Sequence, residues 1–179
     1  MFFKEYFFNL TKKQDNSTRD SDETEIMDKI DLQILQILQK KARVPNVEVA
    51  RNIGMAPSAV LERIKKLEAQ GIIEGYEVRL NADMFHCSMI AFVQIKLNSP
   101  ARLAETGRRL SGIEQIQEVH HLAGEDCLMI KLRVANNTEL ETILRSEIAS
   151  LDAVKDTRTL IALSTYKESA KILLPETLE

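Results

Sequence analysis

Apolar residues recur at three- and four-residue intervals between positions 27 and 67, the spacing of helices. From position 88 onward they alternate or gather in short blocks, the spacing of strands. In the first region, residues 28–41 set Ile30, Ile34, Ile37 and Leu38 on one stripe, which predicts a helix with an inward face. Leu32 falls nearly opposite that stripe and is expected to meet a partner subunit. A second helix opens at Asn46, whose side chain suits a cap. Val47, Val49, Ala50 and Ile53 supply its apolar side, and Gly54 ends it. Met55 occupies the turn, and Pro57 suits the first position of a third helix. There Val60, Ile64 and Leu67 share a face about 60° wide at 100° per residue. Ser58, Glu62, Lys65 and Lys66 lie on the other side, with Ala59 and Arg63 on one flank. Gly71 closes this helix, and residues 72–80 look like a strand pair or wing.

The second region reads as strand 88–97, helix 100–110, strand 115–122, strand 127–134, helix 137–148 with Asn137 as its cap, and strand 154–163. The order βαββαβ is that of a ferredoxin-like unit. The predicted fold class is α+β: an N-terminal winged helix-turn-helix followed by a C-terminal ferredoxin-like sandwich domain. Such a sheet carries helices on one side only. The simplest cover for its other side is a second sheet from another subunit, so a homodimer is expected.

A helix-turn-helix is a device for placing one helix in the DNA major groove. Charge favours that use. Residues 40–66 carry seven Lys and Arg (Lys40, Lys41, Arg43, Arg51, Arg63, Lys65, Lys66) against two acids (Glu48, Glu62). Seven minus two is a local balance of +5 in a chain of net −3, which suits phosphate contact. Arg63, Lys65 and Lys66 are expected to hold phosphates, while Ser58, Ala59 and Glu62 approach base edges. The expected partner is double-stranded DNA, and two recognition helices of a dimer imply half-sites about 34 Å apart.

The chemistry of the second region is not that of a hydrolase. His120 and His121 are neighbours on a strand, so they face opposite ways and cannot share a metal. Cys87 and Cys127 lack the C-x-x-C spacing, and no phosphate loop occurs. No catalytic residue, metal or cofactor is expected. A length of 179 residues bounds the chain to one or two domains, and 44% hydrophobic residues support a packed core. Two cysteines without a secretory signal fit a cytoplasmic location, and no apolar run reaches the ~18 residues of a membrane span.

MDKIDLQILQILQKKAR, NVEVARNIGMAPSAVLERIKKLEAQGII, LAGEDCLMIKLRV and LDAVKDTRTLIALSTYKES follow one another in that order. Together they resemble the Lrp/AsnC (leucine-responsive, feast/famine) family of prokaryotic transcription regulators, across residues 27 to about 170. The resemblance implies an amino-acid-sensing second domain and dimers that assemble further, often to octamers. It places an effector site where subunits meet, at Gly124, Glu125 and Asp126, with Leu160 and Ile161 lining the apolar part; Gly and Asp there also suit a plain hairpin turn. Three positions depart from the family's pattern. Ala56 replaces the Ser before the recognition helix, removing a cap of roughly 1 kcal/mol. Pro45 replaces a Ser or Thr, and Cys127 replaces a Tyr.

The expected organisation is an extension over 1–26, a winged helix-turn-helix over 27–83 with its helix pair at 46–65, an effector-binding and oligomerisation domain over 84–170, and a tail over 171–179. The extension gathers Phe2, Phe3, Tyr6, Phe7 and Phe8, then runs from 11 to 25 without a hydrophobic residue. It reads as disordered or as non-native, Met27 standing where the family usually begins; a docking peptide or weak membrane anchor stays open. One enzyme alternative resembles the same family: a sirohaem decarboxylase that recruits His121 and Arg133. The 11 basic and 13 acidic residues of 84–179 form a poor lure for its polycarboxylate substrate.

Overall fold

A computed structural model describes residues 27–124 and 127–175. The extension over 1–26, Glu125, Asp126 and the last four residues lie outside the described residues. Those described fall into two compact units, one running to Glu77 and taking in residues from Lys171, the other Val78–Ala170.

The first unit is built from α1 (Lys29–Lys40), α2 (Asn46–Ile53) and α3 (Pro57–Ala69). Its core joins Ile34 and Leu38 of α1, Val49 and Ala50 of α2, and Val60, Ile64 and Leu67 of α3. The stripes read from the sequence are the faces that meet, each fully buried Val, Leu or Ile contributing roughly 1.5–3 kcal/mol. Two apolar positions differ from expectation. Val47 is 56% exposed, because the helix turns it away from the core that Val49 and Ala50 enter. Leu32 is buried to 2% exposure within the single chain, so no partner subunit is needed to cover it.

The helix ends follow local chemistry closely. Asp28 and Asp31 form a capping box on α1: the Ile30 and Asp31 amides donate to Asp28 Oδ1 at 2.8 and 2.9 Å, and the Asp28 amide donates to Asp31 Oδ2 at 3.1 Å. Asn46 is not the cap of α2. Pro45 holds that position with φ −58°, and its carbonyl accepts from the Glu48 and Val49 amides without a side-chain bond. Gly54 ends α2 in the left-handed region at φ 72°. Pro57 opens α3 behind Ala56, which supplies no side-chain cap. Beyond Gly71 the expected strand pair does not form. Residues 72–80 have no strand pairing, and Val78 and Leu80 are 82% and 65% exposed. A lone hairpin is marginal in water, and only Ile73 of this stretch packs on the helical core. Tyr76 anchors the exit instead, its hydroxyl donating to Glu68 Oε1 at 2.9 Å.

The second unit contains β1 (Met89–Leu97), α4 (Leu103–Leu110), β2 (Ile116–Leu122), β3 (Cys127–Val134), α5 (Asn137–Ile143) and β4 (Val154–Ile161). The sheet is antiparallel in the order β2-β3-β1-β4, the ferredoxin-like arrangement. Each predicted strand is present, with ends shifted by no more than two residues. Residues 100–102 are a 3-10 turn before α4, and a π turn over Leu144–Ile148 extends α5. The cap of α5 is Asn136 rather than Asn137; its Oδ1 accepts from the Glu139 amide at 3.0 Å.

Strand alternation divides the sheet into two faces. Ala91, Val93 and Ile95 of β1, with Leu128, Ile130, Leu132 and Val134 of β3, pack with Leu110, Leu140, Ile143 and Ile148 of the helical layer. The opposite face carries Phe92 and Gln94 of β1, Met129, Lys131 and Arg133 of β3, Glu118 and His120 of β2, and Leu160 of β4, as the register requires. The helices of this unit, α4 and α5, pack on the other face.

Candidate nucleic-acid interface and effector turn

On α3 the burial of Val60, Ile64 and Leu67 dictates what faces outward. Ser58, Glu62, Lys65 and Lys66 are exposed, while Ala59 and Arg63 are half-buried on the flank. The first turn of α3 contains no acid, so nothing there opposes an approaching phosphate. The structure thus brings the six sequence-predicted residues onto one helix surface.

Arg63 differs from the rest. Its Nη1 pairs with Asp28 Oδ2 and with Asp31 Oδ1, each at 2.8 Å. The hydrogen bond to Asp31 raises the Arg63 pKa, and its pairing with Asp28 adds to this against the effect of desolvation. Desolvation pushes the Asp28 carboxyl up, but the Asp31 amide and Arg63 outweigh it and hold that carboxyl below its ordinary range. Asp28 and Asp31 went unread in the sequence, although their D-x-x-D spacing ahead of an apolar run is a capping signal.

In the second unit, the turn after β2 contains Gly124 at φ 100°, a conformation that favours glycine. An added Cβ there would meet nothing within 4 Å. Glu125 and Asp126 follow Gly124 in the sequence and lie outside the described residues. Leu160 and Ile161 are 49% and 45% exposed, yet they take opposite faces of the sheet. Leu160 pairs with Phe92 on the helix-free face, and Ile161 with Ala91 on the covered one. Within one chain they therefore do not line one wall together. Cys127 pairs with Lys96, and Lys96 with Asp156. Leu160 thus stands about 14 Å along and about 10 Å across the sheet from the turn.

The helix-free face carries an ionic ladder that the sequence did not announce. Lys131 Nζ donates to Glu118 Oε1 at 3.0 Å and also to Glu168, and Arg133 Nη2 donates to Glu168 Oε2 at 2.8 Å. The hydrogen bond from Lys131 holds the Glu168 carboxyl below its usual range; desolvation works against this, and attraction to Lys131 and Arg133 adds to it. His121 pairs with Leu128 and faces the helical side, whereas Arg133 sits on the other face and is engaged by Glu168. The two residues of the decarboxylase alternative are therefore separated by the sheet. Among the described residues no group of His, Cys, Asp and Glu is placed to hold a metal. Nor is any helix among them long and apolar enough to cross a membrane.

Comparison with known proteins bears on both units. Residues 27–74 match the family model for a winged helix-turn-helix DNA-binding domain, and residues 90–172 that for the Lrp/AsnC ligand binding domain. The leucine-responsive regulatory protein of Escherichia coli is 34% identical over 150 residues, covering 83% of this chain and 92% of that protein. A feast or famine regulatory protein from M. tuberculosis, solved in complex with L-methionine, superposes with a TM-score of 0.75 at 30% identity, covering 82% of this chain and 99% of that one. The fold also matches E. coli AsnC, with a TM-score of 0.74 at 24% identity over 82% of this chain and 98% of that one.

Proposed function

The chain belongs to the Lrp/AsnC family of DNA-binding transcription regulators, and from that premise we propose that it acts as a dimer whose hold on DNA is set by a bound amino acid. Regulation of transcription, not catalysis, is its activity. The observation that carries the reading is the polar outer face of α3, presented by a helix whose inner face is fully committed to the core. Ser58, Ala59 and Glu62 read base edges, and Lys65 and Lys66 hold phosphates.

An amino-acid effector is supported by the match to a ligand binding domain and by the L-methionine complex of the mycobacterial relative. Gly124, Glu125 and Asp126 carry, by their residue types, amides and a carboxylate suited to an amino acid's two charged ends. Because one chain separates this turn from Leu160, the site is completed where subunits meet. Dimerisation through the helix-free face covers Phe92, Met129 and Leu160, and further assembly, to an octamer in the fullest case, unites the turns. Effector binding at such contacts changes the spacing of recognition helices and so couples the two sites. The protein works in the cytoplasm, where its DNA lies.

The test is light scattering and DNA binding of the full chain with each amino acid in turn. A change in assembly or affinity with at least one amino acid is expected. Asp126→Ala is expected to retain DNA binding and lose that response. If no amino acid alters either quantity, the sensor reading fails.

A further inference from the structure

The geometry around Arg63 points to a role other than phosphate contact. Its Nη1 is held at 2.8 Å by each of two carboxylates, Asp28 and Asp31, at the start of α1. Two acids against one guanidinium leave Arg63 with no net positive charge to offer a phosphate. The Asp31 side chain is only 14% exposed, so solvent screens this pair less than an ordinary surface pair. The acids are themselves fixed, because they form the capping box of α1. Arg63 therefore ties α3 to the start of α1 at a point that is locally rigid. Ala59 and Glu62, which face the bases in the reading above, line the same cleft as the pair.

We propose that Arg63 is a positioning residue: with Asp28 and Asp31 it sets the orientation of the recognition helix, and these two acids support DNA binding despite their charge. This rests on α3 being the helix that enters DNA. The proposal inverts the simple electrostatic expectation, under which removing an acid beside DNA tightens binding.

The experiment measures binding of the full chain to a duplex from its own upstream region, over a salt series, with thermal melting alongside. Asp31→Asn keeps an oxygen for the Asp28 amide and removes only the charge. It is expected to weaken binding by roughly three- to tenfold with the slope of log K against log salt unchanged. Arg63→Gln is expected to do the same, and the double variant to be no weaker than the weaker single. Asp28→Asn, which preserves the cap because Asn caps as well as Asp, is the second arm if Arg63→Gln melts below the assay temperature. The charge-exchanged pair, Arg63→Asp with Asp31→Arg, is expected to recover part of the affinity.

Unchanged or tighter binding in Asp31→Asn and Asp28→Asn overturns the proposal. So does a fall of about 0.9 in the salt slope of Arg63→Gln, the mark of a lost phosphate contact. Lys65→Ala separates this failure from that of the underlying reading. If it too leaves affinity and slope unaltered, α3 is not the DNA helix; if it flattens the slope while the Asn variants bind normally, only the positioning role falls.

Discussion

In the helical unit, three helices close on one another around a shared core, with Val47 of the α2 stripe left exposed; Leu32, on the back of α1, is buried within the chain. In the sheet unit only one face is closed. The other holds Phe92, Met129 and the half-exposed Leu160 beside an ionic ladder from Glu118 to Glu168. One unit is thus a finished tool in a single copy, whereas the other presents a surface still to be used. A regulator benefits from that division. The helical core is closed by its own three helices, whereas the sheet unit closes only the face on which its helices pack.

The contrast can be broken most forcefully at the helical core. Ile34 is fully buried, so Ile34→Ala is expected to cost about 3 kcal/mol in a urea unfolding experiment and to abolish DNA binding near the new midpoint. A change below about 1 kcal/mol would mean that the helical cluster is looser than its burial implies. Next in size is Lys65→Ala, on the exposed side of α3. Anisotropy titrations are expected to show weaker binding to every duplex and a salt slope lower by about one unit. Full retention of slope removes Lys65 from the phosphate set and leaves the outer face without its main anchor.

Ala56→Ser tests whether the finished unit is as finished as it could be. The Ala56 backbone is extended and no side chain caps α3, so a serine oxygen there has unpaired amides to accept from. A gain of about 1 kcal/mol is expected in the melting of the helical unit. The smallest effect belongs to the open face. Glu168 has its carboxyl held below the ordinary value of 4.5 by Lys131 and Arg133. A depressed folded value means that its contribution is complete above pH 4.5 and is lost as pH falls through that folded value. Glu168→Gln is expected to lower the denaturation midpoint slightly at neutral pH, and the two curves to converge in acid. A gap that persists at low pH would assign Glu168 a packing role instead.

Much of this architecture was legible because period and burial coincide. Ile34, Leu38, Val49, Val60 and Ile64 recur at helical spacing, and Val93, Ile95, Ile130 and Leu132 alternate along strands, since each had one face to hide. Caps were legible only to within one residue, as Pro45 and Asn136 show; neighbouring positions offer similar chemistry and the backbone decides between them. The strand pair over 72–80 is absent for a different reason. Residues 72–80 have β-compatible residues, but nothing in the described chain pairs with them, and pairing is what makes a strand. The pairing of Arg63 was out of reach because its partner Asp31 lies 32 positions away, a separation at which no periodicity operates. On the candidate site, alternation was enough to have set Leu160 and Ile161 on different faces once the strand was accepted.

The bond between Tyr76 and Glu68 has an optical consequence. The chain contains no tryptophan, so its ultraviolet emission comes from tyrosine. Partial desolvation of this half-exposed ring, reinforced by the bond to Glu68 and its charge, pushes the Tyr76 phenol up to about 12. That ring therefore stays un-ionised from acid to strongly alkaline solution, and it is fastened to the last turn of the recognition helix. With Tyr6 and Tyr166 replaced by Phe, a change in the Tyr76 emission on adding DNA is expected to record a disturbance of that helix exit rather than a titration.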